Sequence, residues 1–184
     1  MAKKKTKKKS SLKLFNILVV ALGIFSGVLF TILPMIKATL TTYASETKNM
    51  YSGIAMIFGG EATNNWTTNY GNGDNSVSGS RLVEVSFNVM ACMALVLVIL
   101  GALLVLVALL SKSLSKNKLV GLLASIMLLS GGVLMLTIRS SCLTALNVNE
   151  YLVDLYSLAY GAIVSGILAI LAGIGNIATI ALKK

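Results

Sequence analysis

Few residues of this sequence could take part in chemistry, and the clearest group is one arginine followed by two carboxylates. Glu150 and Asp154 are four residues apart, so in a helix they would share one face. Arg139 precedes them by a short segment. This spacing predicts an ion pair that holds the segment, with a solvated charged rim as the alternative. Two carboxylates without a third ligand do not make a divalent-cation site, so we predict no bound metal.

The two cysteines, Cys92 and Cys142, are a second pair with defined chemistry. Both are expected near the outer surface of a membrane, where oxidation is permitted, so they could form a disulfide. The alternative is two free thiols, one of them a small buried residue. The sequence has no His and no Cys-x-x-Cys motif, and it shows no recognisable set of nucleophile, base and acid. We therefore predict no enzyme activity, no catalytic residue and no cofactor.

Asn176 is the most polar residue deep within an apolar segment. A polar group at membrane depth is a candidate functional residue. Asn176 could donate hydrogen bonds to a neighbouring helix, or it could line a path for a solute or an ion. The interiors of the apolar segments contain no Asp, Glu, Lys, Arg or His. A proton relay or a charged ion pathway would therefore lack its usual residues.

Four apolar segments must position these residues. They cover residues 14–36, 88–111, 119–139 and 158–182, and about 20 residues suffice for a helix to cross a hydrocarbon core of about 30 Å. With 56% hydrophobic and 12% charged residues, the chain is too apolar for an ordinary soluble domain. We therefore predict an all-α membrane protein with a four-transmembrane-helix bundle. The first segment exceeds the apolar core of a cleaved signal peptide, about 7–15 residues, so we expect it to remain as a span.

The distribution of charge predicts the orientation. The segments 1–13, 112–118 and 183–184 hold 12 lysines and no acidic residue, whereas all six acidic residues lie in the segments 37–87 and 140–157. The positive-inside rule therefore places both termini in the cytoplasm of a plasma-membrane protein and makes 37–87 and 140–157 its outer loops. The lysine arm 1–13 would also attract anionic lipid head groups of the bilayer, at about 1 kcal/mol per Lys. It has no interleaved aromatic residues, so we predict no nucleic-acid binding.

The two outer loops carry signals for local structure. Residues 71–74 are a Gly- and Asn-rich turn signal between two β-favouring flanks, which predicts a small β-hairpin, with a disordered polar loop as the alternative. Trp66 and Tyr70 lie in the first flank and are candidates for contact with a partner. In the second outer loop, a capping signal predicts that the fourth helix begins near Asn149 and protrudes from the bilayer.

Small residues at regular spacing predict where the helices pack. Lipid provides no hydrophobic drive for helices to associate, so close packing depends on small side chains that let backbones approach. Packing within one bundle is the simpler interpretation, and contact between copies in a homo-oligomer is the alternative. The predicted packing residues are Gly23, Gly27, Gly101, Gly161, Ser165 and Gly173.

This layout resembles the tetraspan, claudin-like membrane proteins, which have both ends inside, four spans, a long first outer loop and a shorter second one. The resemblance is one of topology. The first loop has Trp66 but neither a Gly-Leu-Trp motif nor two spaced cysteines, so no functional residue is carried over. We expect a non-enzymatic integral membrane protein whose outer loops contact another membrane protein or mediate lateral assembly of a homo-oligomer. The alternative is a small channel, holin-like pore or transporter subunit that acts as an oligomer.

Overall fold

The computed structural model describes residues 2–41, 45–70, 75–111, 114 and 117–182, and within these ranges it describes side chains from residue 14 onward except that of Asn75. The side chains of the lysine arm, most of the segment 112–118, the tail 183–184 and the predicted turn at 71–74 lie outside the described residues. Numbered in chain order, the helices are α1 (Ala2–Ile32), α2 (Gly53–Phe58), α3 (Val89–Leu110), α4 (Lys118–Thr137), α5 (Arg139–Ala145) and α6 (Tyr160–Leu182). The strands are β1 (Ile36–Thr41), β2 (Ser45–Tyr51), β3 (Gly60–Tyr70), β4 (Asn75–Val85) and β5 (Tyr156–Leu158), and a 3₁₀ helix covers Glu150–Leu155.

Four of these helices are long and apolar enough to cross a membrane, as predicted. The apolar stretches are Leu14–Ile32 of α1, and the whole of α3, α4 and α6. The first span ends at Ile32, four residues earlier than expected. Pro34 has no N–H and disfavours helical backbone in the residue before it, so it stops the helix. Met35 then donates its N–H to the carbonyl of Tyr51, which begins the strand pairing.

The chain divides into two compact units. The helical unit contains residues 1–28, 93–134 and 165–184, and the strand-rich unit contains residues 29–92 and 135–164. In the helical unit, the buried residues are mostly small, such as Ala94, Ala124 and Ala169, while large apolar side chains such as Phe25 and Leu171 are exposed. Small residues inside and large apolar residues outside are typical of helices that face lipid.

The strand-rich unit contains a five-stranded antiparallel sheet with the order β4-β3-β2-β1-β5. The predicted hairpin is present as β3 and β4, but it is only part of this sheet. The long segment after α1 supplies four strands, and the segment after α4 supplies β5, which pairs with β1 from Ile36↔Leu158 to Ala38↔Tyr156. The prediction of an all-α protein is therefore wrong. The polar segments that separate the apolar helices form this sheet, in which the backbone N–H and C=O groups of each strand bond to those of its neighbours.

The second outer loop also departs from the prediction. It forms α5, the 3₁₀ helix and β5 before α6 begins at Tyr160, so no fourth helix protrudes from Asn149. Asn149 is a capping residue, because its Oδ1 accepts from the N–H of Tyr151 (3.3 Å), but the helix it caps is the short 3₁₀ helix. Pairing of Tyr156–Leu158 with β1 requires extended backbone, which ends that helix after one or two turns.

Candidate binding edge of the sheet

The two faces of the sheet differ in chemistry, and the strand register assigns each residue to one face. Directly paired residues of antiparallel strands point to the same side. One side, the charged face, holds every Lys and Glu of the five strands, namely Lys37, Glu46, Lys48, Glu61 and Glu84. The other side, the aromatic face, holds the aromatic residues and a single basic one, namely Tyr51, Trp66, Tyr70, Tyr156 and Arg81.

A row of polar side chains crosses the middle of the aromatic face, where Arg81, Asn64 and Tyr51 stand opposite one another on three successive strands. Asn64 is fully buried, and its Nδ2 donates to the Tyr51 hydroxyl (3.5 Å). The Tyr51 ring lies 6.3 Å from that of Tyr156. Burial and a hydrogen bond with Tyr156 raise the pKa of Tyr51 to about 12, which Arg81 partly opposes. At neutral pH this phenol therefore stays protonated and serves as a hydrogen-bonding group of the core.

Trp66, one of the two predicted contact residues, lies over the edge strand. A Cβ at Gly79, its partner on β4, would stand 2.7 Å from Cζ2 and 2.9 Å from Cε2 of the indole. The indole occupies the space that a side chain at residue 79 would fill, and the ring is therefore half-buried. Tyr70, the other predicted residue, ends β3 on the same face and is 49% exposed. The aromatic face is thus open to solvent near the end of the β3–β4 hairpin.

The two edge strands of the sheet differ sharply. One edge is β5, which has only 3 residues. The other is β4, whose 11 residues pair with β3 in an unbroken register without a bulge. Its sequence contains no Lys and no Pro, and it exposes Val77 (51%) and Leu82 (65%). Natural proteins usually protect edge strands with short length, charged side chains (Lys above all), Pro or bulges. By that standard β5 is protected by its short length, whereas β4 has only two charged residues, Arg81 and Glu84, along its 11 positions.

Asn88 joins three elements of the strand-rich unit. It is buried and caps α3, because its Oδ1 accepts from the N–H of Ala91 (3.1 Å). The same oxygen accepts from the Ser141 hydroxyl of α5, and the Asn88 N–H donates to the carbonyl of Ile57 in α2 (3.3 Å). The Asn88 Nδ2 contacts Cys142 Sγ at 3.6 Å. These bonds hold α2, the start of α3 and α5 together.

The two cysteines are free thiols and are not joined by the disulfide that the sequence allowed. Cys142 is buried against Asn88, and burial raises the pKa of its thiol to about 12, with Asn88 acting in the opposite direction. Cys92 lies one turn after Asn88, to whose carbonyl it donates its N–H (3.0 Å). A protonated, buried thiol is a poor nucleophile. Cys142 is therefore a small core residue.

Arg139 does not form the predicted ion pair with Glu150 or Asp154. Its Nε donates to the carbonyl of Tyr156 (2.9 Å) and its second guanidinium nitrogen to the carbonyl of Val153 (2.8 Å). Within the part of the chain that the structure describes, the one ion pair joins Lys48 and Glu46 (3.4 Å). The Val153 carbonyl also accepts the N–H of Tyr156 at the end of the 3₁₀ helix, and Arg139 binds these backbone oxygens instead of a carboxylate.

In the helical unit, Asn176 joins α6 to α4. Its Nδ2 donates to the carbonyl of Gly121 (2.8 Å) and to the Ser125 hydroxyl (2.9 Å). Its Oδ1 lies 3.4 Å from the hydroxyl of Thr179. Asn176, Ser125 and Thr179 are all buried. Both amide protons are thus used between the two helices, which matches a packing role and leaves no donor for a passing solute.

Five of the six predicted packing residues contact a neighbouring helix, and the sixth, Gly161, contacts the segment that follows α1. Gly23 faces Ala102, Gly101 faces Leu128, and Gly173 faces Leu129. The carbonyl of Ser165 accepts from the Ser26 hydroxyl (2.7 Å). Gly27 lies against Ile99 at ordinary contact distance, and Gly161 in the strand-rich unit donates its N–H to the carbonyl of Pro34 (3.0 Å). These contacts lie within one chain.

Searches for relatives and for metal-binding geometry add no further site. No protein-family model matches the chain, and no curated protein is significantly similar to it. Among the described residues, no group of three or more His, Cys, Asp and Glu side chains could hold a metal ion.

Three of the five strands were missed from the sequence. In β1, Ile36, Ala38 and Leu40 alternate with polar residues, which is a strand signal, but its first residue had been assigned to the apolar span. The sequence of β2, Ser-Glu-Thr-Lys-Asn-Met-Tyr, shows no such alternation. The 3 residues of β5 are too few for any periodicity.

Proposed function

We propose that this protein is a non-enzymatic, multi-pass plasma-membrane protein whose outer segments form one recognition sheet, and that a partner chain binds along the edge of β4. The observation that carries the proposal is the contrast between the edges of the sheet. An extended partner segment can add to an unpaired strand through main-chain hydrogen bonds, with alternate side chains providing specificity. Strand β4 offers 11 residues for this, among them the exposed Val77 and Leu82.

The location and orientation rest on the four apolar helices and on the distribution of charge. Cysteine labelling in intact cells tests them. Ser76→Cys, on exposed β4, should react with a membrane-impermeant maleimide, whereas Ser10→Cys in the lysine arm should react only after permeabilisation. The wild-type chain, with its Cys92 and Cys142, is the control for background labelling. The opposite pattern would show that the termini face outward.

Site-specific photo-crosslinking tests the binding edge. A benzoylphenylalanine at Leu82 on β4 should give a discrete crosslinked product in intact cells, and the additional substitution Val77→Lys should weaken it at least several-fold, because a charged edge residue opposes strand addition. Thr63 is the matched control, since it is exposed on β3 in the interior of the sheet. Equal products from both positions, or none from Leu82, would contradict a β4 binding edge.

The alternative of a small channel or pore subunit has weaker support. It needs polar groups free to contact a solute, and both amide protons of Asn176 are engaged by Gly121 and Ser125. The proposal uses the resemblance to claudin-like tetraspan proteins only for the layout of four spans with both ends inside. Conductance of the purified protein in liposomes would favour the channel over a recognition role.

A further inference from the structure

We infer that the partner of β4 is a second copy of this chain, paired β4 to β4 in antiparallel fashion about Ser80. The inference rests on the proposed function, because it names the occupant of the same edge. Ser80 is the middle residue of Asn75–Val85. A two-fold axis through Ser80 therefore pairs the whole 11-residue strand with its counterpart, which is the greatest overlap that the strand permits.

The side chains of β4 suit this register. On the aromatic face, Val77 would stand opposite Val83 of the second copy, and the symmetry repeats that apolar pair. Arg81 would stand opposite Gly79, which the Trp66 indole of the second copy covers, so the guanidinium would meet an aromatic ring and no like charge. On the charged face, Ser80 would meet itself and Glu84 would meet Ser76. No residue would then face a like charge, which is the arrangement that stabilises cross-strand pairs.

The neighbouring symmetric registers are less favourable. Because directly opposite residues must point to the same side, the centre of a two-fold pair lies on a residue, and the nearest alternatives are centred on Arg81 or Gly79. A centre at Arg81 places two guanidinium groups directly opposite each other, which is destabilising. A centre at Gly79 brings together the two positions that the Trp66 indoles already cover. The sequence of β4 therefore specifies both a partner and a register.

Several features of β4 favour a second copy over an unrelated partner. Four of its 11 residues are Ser or Gly, which leaves little bulk to obstruct another strand. Its two charged residues, Arg81 and Glu84, sit on opposite faces and each meets a small uncharged residue in the Ser80 register. Val77 and Val83 share a face and lie at equal distances in sequence from Ser80, so each covers the other's apolar surface across the axis.

Disulfide trapping tests the register directly. Only the residue on the axis lies opposite its own copy, at a Cα separation of about 4.5–5.5 Å, which a disulfide can bridge. Ser80→Cys should therefore form a covalent homodimer on mild oxidation in membranes. Ser78→Cys and Leu82→Cys should form little dimer alone, but differently tagged chains carrying one each should crosslink to each other. The wild-type chain controls for the two native thiols.

The effect of the edge on pairing provides a second test. Val77→Lys in the Ser80→Cys chain should lower the dimer yield about tenfold, corresponding to a loss of about 1.4 kcal/mol. Thr63→Lys, on an interior strand, should leave the yield unchanged. Trp66 is the one tryptophan of the chain, so its emission in detergent should shift with protein concentration in the wild type and not in Val77→Lys.

The outcomes separate this inference from the proposed function. If Ser80→Cys crosslinks no better than Leu82→Cys alone, self-pairing about Ser80 is wrong. If, in addition, the photo-crosslinker at Leu82 captures a different protein and Val77→Lys abolishes that product, the binding edge stands and its occupant is another chain. If neither cysteine nor photo-crosslinker gives a product, both the inference and the proposed function are wrong.

Discussion

The indole of Trp66 lies over the backbone of Gly79, so that a Cβ at residue 79 would stand 2.7 Å from Cζ2 of the ring. This contact joins the edge strand β4 to its neighbour on the aromatic face. It also explains why a residue of low strand propensity occupies the middle of an 11-residue strand. Glycine within a strand often marks the close approach of another group.

Gly79→Ala should displace the indole and destabilise the strand-rich unit. We expect a loss of about 1–3 kcal/mol in the free energy of unfolding, the usual range for overpacking. Chemical denaturation followed by Trp66 fluorescence measures this loss, together with a red shift of the native emission. Ser80→Ala, the adjacent residue on the other face, is the control. A Gly79→Ala protein with unchanged emission and stability would show that the ring moves aside freely.

The stability of the strand-rich unit should fall at high pH because of Tyr51. Its pKa is about 12 in the folded chain and about 10 when unfolded. The contribution of the neutral phenol is therefore fully present below pH 10 and is lost as the pH rises from about 10 to 12. Unfolding followed between pH 9 and 12 measures the slope, which Tyr51→Phe should reduce. In an ultraviolet titration of the native protein, Tyr51→Phe should also remove a tyrosine ionisation near pH 12, and an unchanged titration at that pH would contradict the assignment.

Arg139 should be important for stability while the two carboxylates after it are not. Arg139→Gln leaves the carbonyls of Val153 and Tyr156 without their charged donor, and hydrogen bonds to charged groups contribute about 1.5–3 kcal/mol each. Thermal unfolding should show a loss of about that size. Glu150→Gln and Asp154→Asn should change stability by less than about 0.5 kcal/mol, as expected for surface substitutions. An equal loss of stability in either carboxylate variant would instead support the ion pair that the sequence predicted.

Asn176→Leu should weaken the packing of α6 against α4 without opening or closing a pathway. Interhelical hydrogen bonds in membranes contribute about 0.6 kcal/mol on average and up to about 1.7 kcal/mol, so a loss of about 1 kcal/mol is expected. Ser125→Ala removes one of the two acceptors, and the double variant should cost less than the sum of the single ones. Unfolding in mixed micelles provides the energies. Additive losses would mean that the two side chains act independently.

The sequence predicted the helical part of this protein well and the polar part poorly. Residues 89–110 are an unbroken apolar run, and they form α3 with the same bounds. The hairpin of β3 and β4 was also predicted, because both strands carry local β-favouring residues next to a turn. By contrast, the pairing of Ile36 with Leu158 joins residues more than a hundred positions apart, and nothing in the local sequence of either one indicates the other.

Arg139 is a single residue whose location the sequence predicted and whose hydrogen-bond partners it did not. Its sequence position predicted a site near Glu150 and Asp154, and it does lie beside the segment that contains them. Its partners are nevertheless two backbone carbonyls at the end of the 3₁₀ helix, and that of Val153 also accepts the N–H of Tyr156. Carbonyl groups are present at every residue, so the sequence could not distinguish the ones that the fold would place beside Arg139.

The amino-acid sequence by itself determined that the chain has four apolar helices and determined how charge is divided among the segments between them. These properties depend on the summed transfer free energy of about 20 consecutive residues, which is a local quantity. Only the tertiary structure decided that the segment between α1 and α3 and the segment between α4 and α6 share one sheet, that β5 closes one edge and that β4 is left open at the other. Strand order depends on backbone pairing between distant segments, and every residue of both segments offers the same N–H and C=O groups.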